Sequence, residues 1–143
     1  MPISGNLDLS VEYDFHQGAM SSGDMDRWFA TGTAAQRSGN TAQLGQLQYL
    51  RQFALDEQEP ISRQNLFWRA EWRNSLAPNV TLVYLGIMNL HDRSSLQQLT
   101  TRWNYSKRWS FSAIVNRYLG GAATEYGSYQ TDMSILASAI FYF

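Results

Sequence analysis

Cysteine is missing from this 143-residue chain, proline occurs three times, and neither sign of charge dominates, the net charge being −1. Without cysteine there is no disulfide framework and no thiolate metal site. The two histidines lie far apart and make no recognisable ligand set, so neither metal nor cofactor is expected. A charge this close to zero leaves no basic footprint for nucleic acid. Charged residues make up only 16% of the chain, against about 25% in an ordinary soluble domain. Long apolar runs are also missing. The longest uncharged stretch, "NSLAPNVTLVYLGIMNLH" at Asn74–His91, holds Pro78 and three asparagines, whereas a spanning helix needs about 20 predominantly apolar residues. It reads as a turn at Ala77-Pro78-Asn79 between two strands. The opening "MPISGNLDLS" has neither a basic region nor an apolar core, so no secretory signal is read there, and export would imply a mature form.

What the chain has instead is aromatic residues: five Trp, eight Tyr and seven Phe, 14% of the total. Yet the mean hydropathy is −0.36, because Ser, Thr, Asn and Gln fill the rest. Strands with one face in lipid and the other in a polar lumen produce such a mixture. The period supports strands. In "NLDLSVEYDF", Leu7, Leu9, Val11, Tyr13 and Phe15 share one face, opposite Asn6, Asp8, Ser10, Glu12 and Asp14. "NLFWRAEWRN" sets Leu66, Trp68, Ala70 and Trp72 against Phe67, Arg69, Glu71 and Arg73. "RWSFSAIVN" places Trp109, Phe111, Ala113 and Val115 together, and the final run does the same for Met133, Ile135, Ala137, Ala139, Phe141 and Phe143.

Breakers at Ser38-Gly39-Asn40, Glu59-Pro60, Pro78-Asn79, Ser106-Lys107 and Gly120-Gly121 through Gly127 separate the runs. The expectation is an all-β, antiparallel, up-and-down barrel with eight strands, near 5–16, 26–36, 41–55, 62–76, 79–91, 94–105, 108–119 and 128–143. The stretch "RWFATGTAAQ" also fits one loop over 17–40, and in the third strand Arg51 falls on the face of Leu47, Tyr49, Phe53 and Leu55. Connections 17–25, 56–61, 92–93 and 120–127 fall at one end, and the brief turns 37–40, 77–78 and 106–107 at the other. Short turns on one side and longer loops on the other are the layout of a transmembrane barrel. Tyr13, Phe15, Tyr118 and Tyr129 near the upper rim and Trp72, Trp103, Tyr105, Trp109, Phe141 and Phe143 near the lower rim are expected to form two interfacial girdles.

The ending "MSILASAIFYF" resembles the C-terminal signature of Gram-negative outer-membrane β-barrels, with a terminal aromatic and apolar or small residues at alternate preceding positions. Ile135, Ala137, Ala139, Phe141 and Phe143 carry the match. The resemblance implies a bacterial outer-membrane location, membrane lipid as surroundings, and recognition of the last strand by the barrel-assembly machinery. The stretch 62–127, with "NLHDRSS", "SKR" and "GGAATEYG", more loosely resembles the closing hairpins of larger porin-like or export barrels.

Asp8, Glu12, Asp14, Arg69, Glu71, Arg73, Arg102 and Asp132 are assigned to the lumen. Eight strands enclose little more than side chains, so these charges are expected to pair and fill the interior of a membrane-embedded scaffold or a narrow pore for small ions or solutes. Three other readings fit the pattern: a piece of a wider porin or export channel, a rim enzyme acting on lipid or peptide, and a soluble lipocalin-like carrier. The enzyme reading rests on His91 and Asp92, but neighbours on a strand point to opposite faces, and both read as loop termini, so no catalytic residue is assigned.

Overall fold

The computed structural model describes residues 6–56, 61–129 and 131–143. The alternating stretches become six strands: β1 (Leu7–Phe15), β2 (Gln64–Arg73), β3 (Val80–Asn89), β4 (Ser95–Asn104), β5 (Trp109–Leu119) and β6 (Met133–Phe141). They form one antiparallel sheet in chain order, β1 to β6. The up-and-down antiparallel expectation matches this sheet. The strand count does not. Residues assigned to strands at 26–36 and 41–55 are helices, α1 (Ser22–Ser38) and α2 (Thr41–Asp56), and the sheet is not closed, since β1 and β6 are its edges. The Glu59-Pro60 breaker and Met1–Gly5 lie outside the described residues.

Local chemistry explains the helices. Ser21 caps α1 in a reciprocal box with Asp24, whose carboxyl is held below its usual range first by the Ser21 hydroxyl and backbone N–H. Gly39, at φ 69°, ends α1 in the left-handed conformation that costs glycine nothing. The Asn40 side chain then accepts from the Gln43 N–H (3.1 Å) and starts α2. Residues 42–55 contain no β-branched residue and are rich in Ala, Leu and Gln, which favour helix. Leu44, Leu47, Gln48 and Arg51, spaced for one helical face, line a single cleft against α1 and residues 122–128. The 37–40 turn thus joins two helices within the upper β1–β2 connection. It is not a lower turn.

Register fixes the two faces. Leu9, Ala70, Tyr84, Leu99, Val115 and Ile135 stand in one row across all six strands. Leu7–Phe15, Leu66–Trp72, Trp109–Val115 and Met133–Phe141 share that apolar face. The opposite face has the row Ser10, Arg69, Leu85, Gln98, Asn116 and Ser134. There Gln98 donates to Asn116 (2.8 Å), Asn116 to Ser134 (3.2 Å), and the Ser112 and Ser138 hydroxyls share a bond of 2.8 Å. The edge strands are exposed on both faces, Ile135 at 65% and Leu136 at 64%. In the inner strands Tyr84, Leu99 and Phe111 of the apolar face are exposed, whereas Arg69, Leu85, Gln98 and Asn116 of the opposite face are half-buried. Buried apolar side chains among the described residues are few, Met25, Ala35, Val80 and Tyr126.

At the lower end the connections are residues 74–79 and 105–108. Asn74 and Asn79 take positive φ there, and the Asn74 side chain accepts from the Asn79 N–H (3.0 Å). The upper connections are 16–63, 90–94 and 120–132.

Candidate functional site

The three upper connections converge on one buried polar cluster. Asn65 and Asn89 end β2 and β3 as register partners on the polar face, and both are fully buried. Glu125, from the β5–β6 connection, is buried between them and the loops. One carboxylate oxygen accepts from the Ile61 N–H (3.1 Å) and the other from the Asn89 amide (2.9 Å). Asp92 accepts from the Glu125 N–H (2.7 Å) on one oxygen, and from the Ser94 N–H (2.8 Å) and hydroxyl (2.6 Å) on the other. The Ser94 hydroxyl in turn accepts from the Tyr126 N–H (3.1 Å). Burial pushes the Glu125 carboxyl above its usual range. Bonds from Ser62, Ile61 and Asn89 oppose the rise, and the nearby Asp92 charge adds to it. Burial likewise raises the Tyr126 and Tyr129 phenols.

The helical hairpin is tied to the same point. The Asn89 amide also reaches Met25 Sδ of α1 (3.5 Å). Arg51 of α2 donates to the Ser128 hydroxyl (2.8 Å) and the Glu125 carbonyl (2.9 Å), and lies 4.3 Å from the Tyr129 ring centre. Tyr129 stacks on Tyr118 at 4.4 Å. A cleft lined by Gln48, Tyr49, Arg51, Tyr118, Tyr129 and Ser134 therefore opens between α2 and the upper end of the polar face. These contacts hold the hairpin at the upper connections, beside the upper end of that face.

The His91 and Asp92 side chains bond to different partners. His91 Nε2 lies 3.1 Å from Asp26 of α1, while the Asp92 carboxylate is occupied by Ser94 and Glu125. Asp92 is thus a clamp between loops, where the sequence suggested a bare loop terminus.

Of the residues assigned to the lumen, Asp8, Arg69, Glu71 and Arg73 form one cluster on β1 and β2. Arg73 bridges Asp8 (3.2 Å) and Glu71 (2.7 Å), and Glu71 also pairs with Arg69. Glu12, Asp14, Arg102 and Asp132 are exposed, and no ion pair joins them to other described residues. The charges therefore do not share one narrow space, because the sheet that carries them is open.

Aromatic residues gather at the lower end of the apolar face. Trp103, Tyr105, Phe111, Trp109, Phe141 and Phe143 form a continuous chain with ring separations between 4.9 and 6.4 Å. Phe111 belongs to it although it was not assigned to a girdle, and Trp72 stands on the same face. At the upper end Tyr13 and Phe15 lie on the apolar face, but Tyr118 does not. It pairs with Leu96 on the polar side, so Tyr118 and Tyr129 belong to the mouth of the polar face. Ile135, Ala137, Ala139 and Phe141 follow one another along the apolar side of β6, and Phe143 stands fully exposed beyond it.

No family model, curated protein or solved structure matches the chain.

Proposed function

We propose that this chain forms the wall of an outer-membrane β-barrel, a membrane-embedded scaffold or pore-type protein whose polar face lines a lumen. The observation that carries this reading is the row Leu9, Ala70, Tyr84, Leu99, Val115 and Ile135, which crosses all six strands without a charged or amide side chain and is exposed at Leu9, Tyr84, Leu99 and Ile135. Soluble monomers rarely expose apolar patches beyond a few hundred Å². A lipocalin-like carrier would turn this face inward. The lower aromatic chain supplies an interfacial belt, and the polar ladder Gln98–Asn116–Ser134 supplies the lumen side. The upper rim, knitted by Glu125 and Asp92, then serves as a rigid mouth beside the helical hairpin. Its lining of amides, hydroxyls and Arg51 suits small polar solutes.

Ala137 and Ser138 test the assignment, being adjacent on β6 and on opposite faces. In refolding titrations in phospholipid vesicles, Ala137→Arg should cost about 2–4 kcal/mol near mid-depth, and Ser138→Asn much less. The reverse order would turn the sheet inside out. A chain that folds and stays monomeric without detergent or lipid would remove the membrane reading.

A further inference from the structure

Resting on the membrane reading above, we propose that a second copy of this chain closes the barrel, with β6 of each copy pairing antiparallel to β1 of the other.

Among the described residues β1 pairs only with β2 and β6 only with β5, so each has one side of its backbone outside the sheet's ladders. Hydrocarbon offers those N–H and C=O groups no partner, and open sheet edges do not occur there. Closure of one copy on itself would leave six strands. Eight already enclose little beyond side chains, and this polar face carries Phe67, Arg69, Leu85, Leu96 and Tyr118.

Direction selects the partner edge. With an even number of strands, β6 runs opposite to β1. Two copies inserted the same way up therefore keep an antiparallel ladder only if β6 meets β1 of the neighbour. Joining β1 to β1, or β6 to β6, would make the pair parallel. The edges also match in length and pattern: Leu7–Phe15 and Met133–Phe141 have nine residues each. An end-to-end register sets Val11 opposite Ala137 and Ser10 opposite Ser138. Any shift by an even number of residues keeps Leu7, Leu9, Val11, Met133, Ile135 and Phe141 on the outer face, whereas an odd shift reverses one strand.

Charge points the same way. The inner face of β1 is acidic at Asp8, Glu12 and Asp14, so β1 against β1 would set acid opposite acid. The inner face of β6 offers Ser134, Leu136, Ser138 and Ile140, with no charge, proline or glycine in the strand. Edges that must stay unpaired usually carry such blocking residues. β6 has none. The head-to-tail join repeats identically at both seams and closes by rotation. Twice the six strands gives a barrel of twelve, inside the known range of about 8–26 and wide enough for an aqueous lumen.

The absence of cysteine makes the test direct. The full chain is refolded into detergent micelles and vesicles with the pairs Ser10→Cys/Ser138→Cys, Ser10→Cys/Ser134→Cys and Val11→Cys/Ala137→Cys, each checked for parental circular dichroism. After a short bis-maleimide, denaturing electrophoresis should show a covalent dimer for at least one pair. The Ser10→Cys and Ser138→Cys singles should show none, and detergent-corrected light scattering should give two chains per particle. Steady conductance in planar bilayers should accompany the dimer. Cross-links within one chain, dimers from the Ser10→Cys single, a higher copy number, or a detergent-bound monomer without cross-links would each overturn the pairing and leave the membrane reading standing. A detergent-free, soluble monomer would overturn the membrane reading itself.

Discussion

Gly86 sits on β3 opposite Trp68 of β2, and the indole lies over it. A Cβ at position 86 would fall 2.1 Å from Trp68 Cε2 and Cζ2 and 2.7 Å from Nε1. Carbon atoms rest about 3.5–4.0 Å apart, so in Gly86→Ala the ring must retreat by about 1.5 Å or leave its rotamer. Overpacking of this kind typically costs about 1–3 kcal/mol. Alanine returns about 0.4–1 kcal/mol by restricting the unfolded chain, so the net loss should be about 1–2 kcal/mol. If the ring is the obstacle, removing it reverses the sign. In a Trp68→Ala background, Gly86→Ala should be neutral or stabilising by about 0.5 kcal/mol, a coupling of about 1.5 kcal/mol or more in the double-mutant cycle. The four variants are compared by urea unfolding in vesicles, followed by far-ultraviolet circular dichroism, since fluorescence changes when Trp68 is lost. Equal cost of Gly86→Ala in both backgrounds would refute the stacking argument.

Further expectations concern the rim and the ending. The folded Glu125 pKa lies above the unfolded value of about 4.3, so its protonated form is the stabilising one. That contribution is complete below about pH 4 and is lost as pH rises through the folded value. Glu125→Gln should flatten the fall in stability over that window, and an unchanged slope would mean that other groups titrate. Asp92→Asn should cost about 1–3 kcal/mol by weakening bonds to Ser94 and Glu125, whereas His91→Ala, removing one exposed contact, should stay within about 0.5 kcal/mol in the same titrations. Gly127→Ala places a Cβ 2.3 Å from the Gly120 carbonyl carbon; that backbone cannot yield as a side chain does, so the loop should open and hydrogen exchange at Glu125 and Tyr126 should quicken. Phe143 touches Phe141 and is otherwise exposed, so Phe143→Ser should barely change refolding in detergent while lowering membrane yield in cells; equal yields would remove the assembly role.

The strands were legible because their alternation is set by neighbours within a few residues. Leu7 to Phe15 and Met133 to Phe141 announce their faces without help from the rest of the chain. The hairpin was legible only in part. Arg51 was out of place on an apolar strand face, and it fits at once when Leu44, Leu47, Gln48 and Arg51 are spaced along a helix. Ser21 with Asp24, and Gly39 after Ser38, were usable start and stop signals. Tyr118 was also recoverable, since counting from Trp109 by twos never reaches it. The Glu125 cluster had no local sign. Its partners Asn89 and Ile61 are 36 and 64 residues away, and a glutamate in a glycine-rich loop reads as solvated until those loops are seen to meet. Nor does alternation state how many strands close a sheet, because that is a property of its edges.

The chain-ordered sheet also sets a sequence of events. From β2 to β6 each strand meets its partner through a connection no longer than residues 120–132, so this meander forms by successive local closures. β1 reaches β2 only across residues 16–63. Loop closure costs about 0.6 kcal/mol for each doubling of length, so span alone delays β1 modestly. The larger hindrance is that its strand registry must wait for a hairpin whose own anchor, Arg51 on Ser128 and the Glu125 carbonyl, exists only once β5 and β6 have turned back on each other. β1 should therefore be the last strand to dock. Its nascent edge stays available longest, and the acidic residues of its polar face, Asp8, Glu12 and Asp14, then guard it against premature pairing with another unfinished β1.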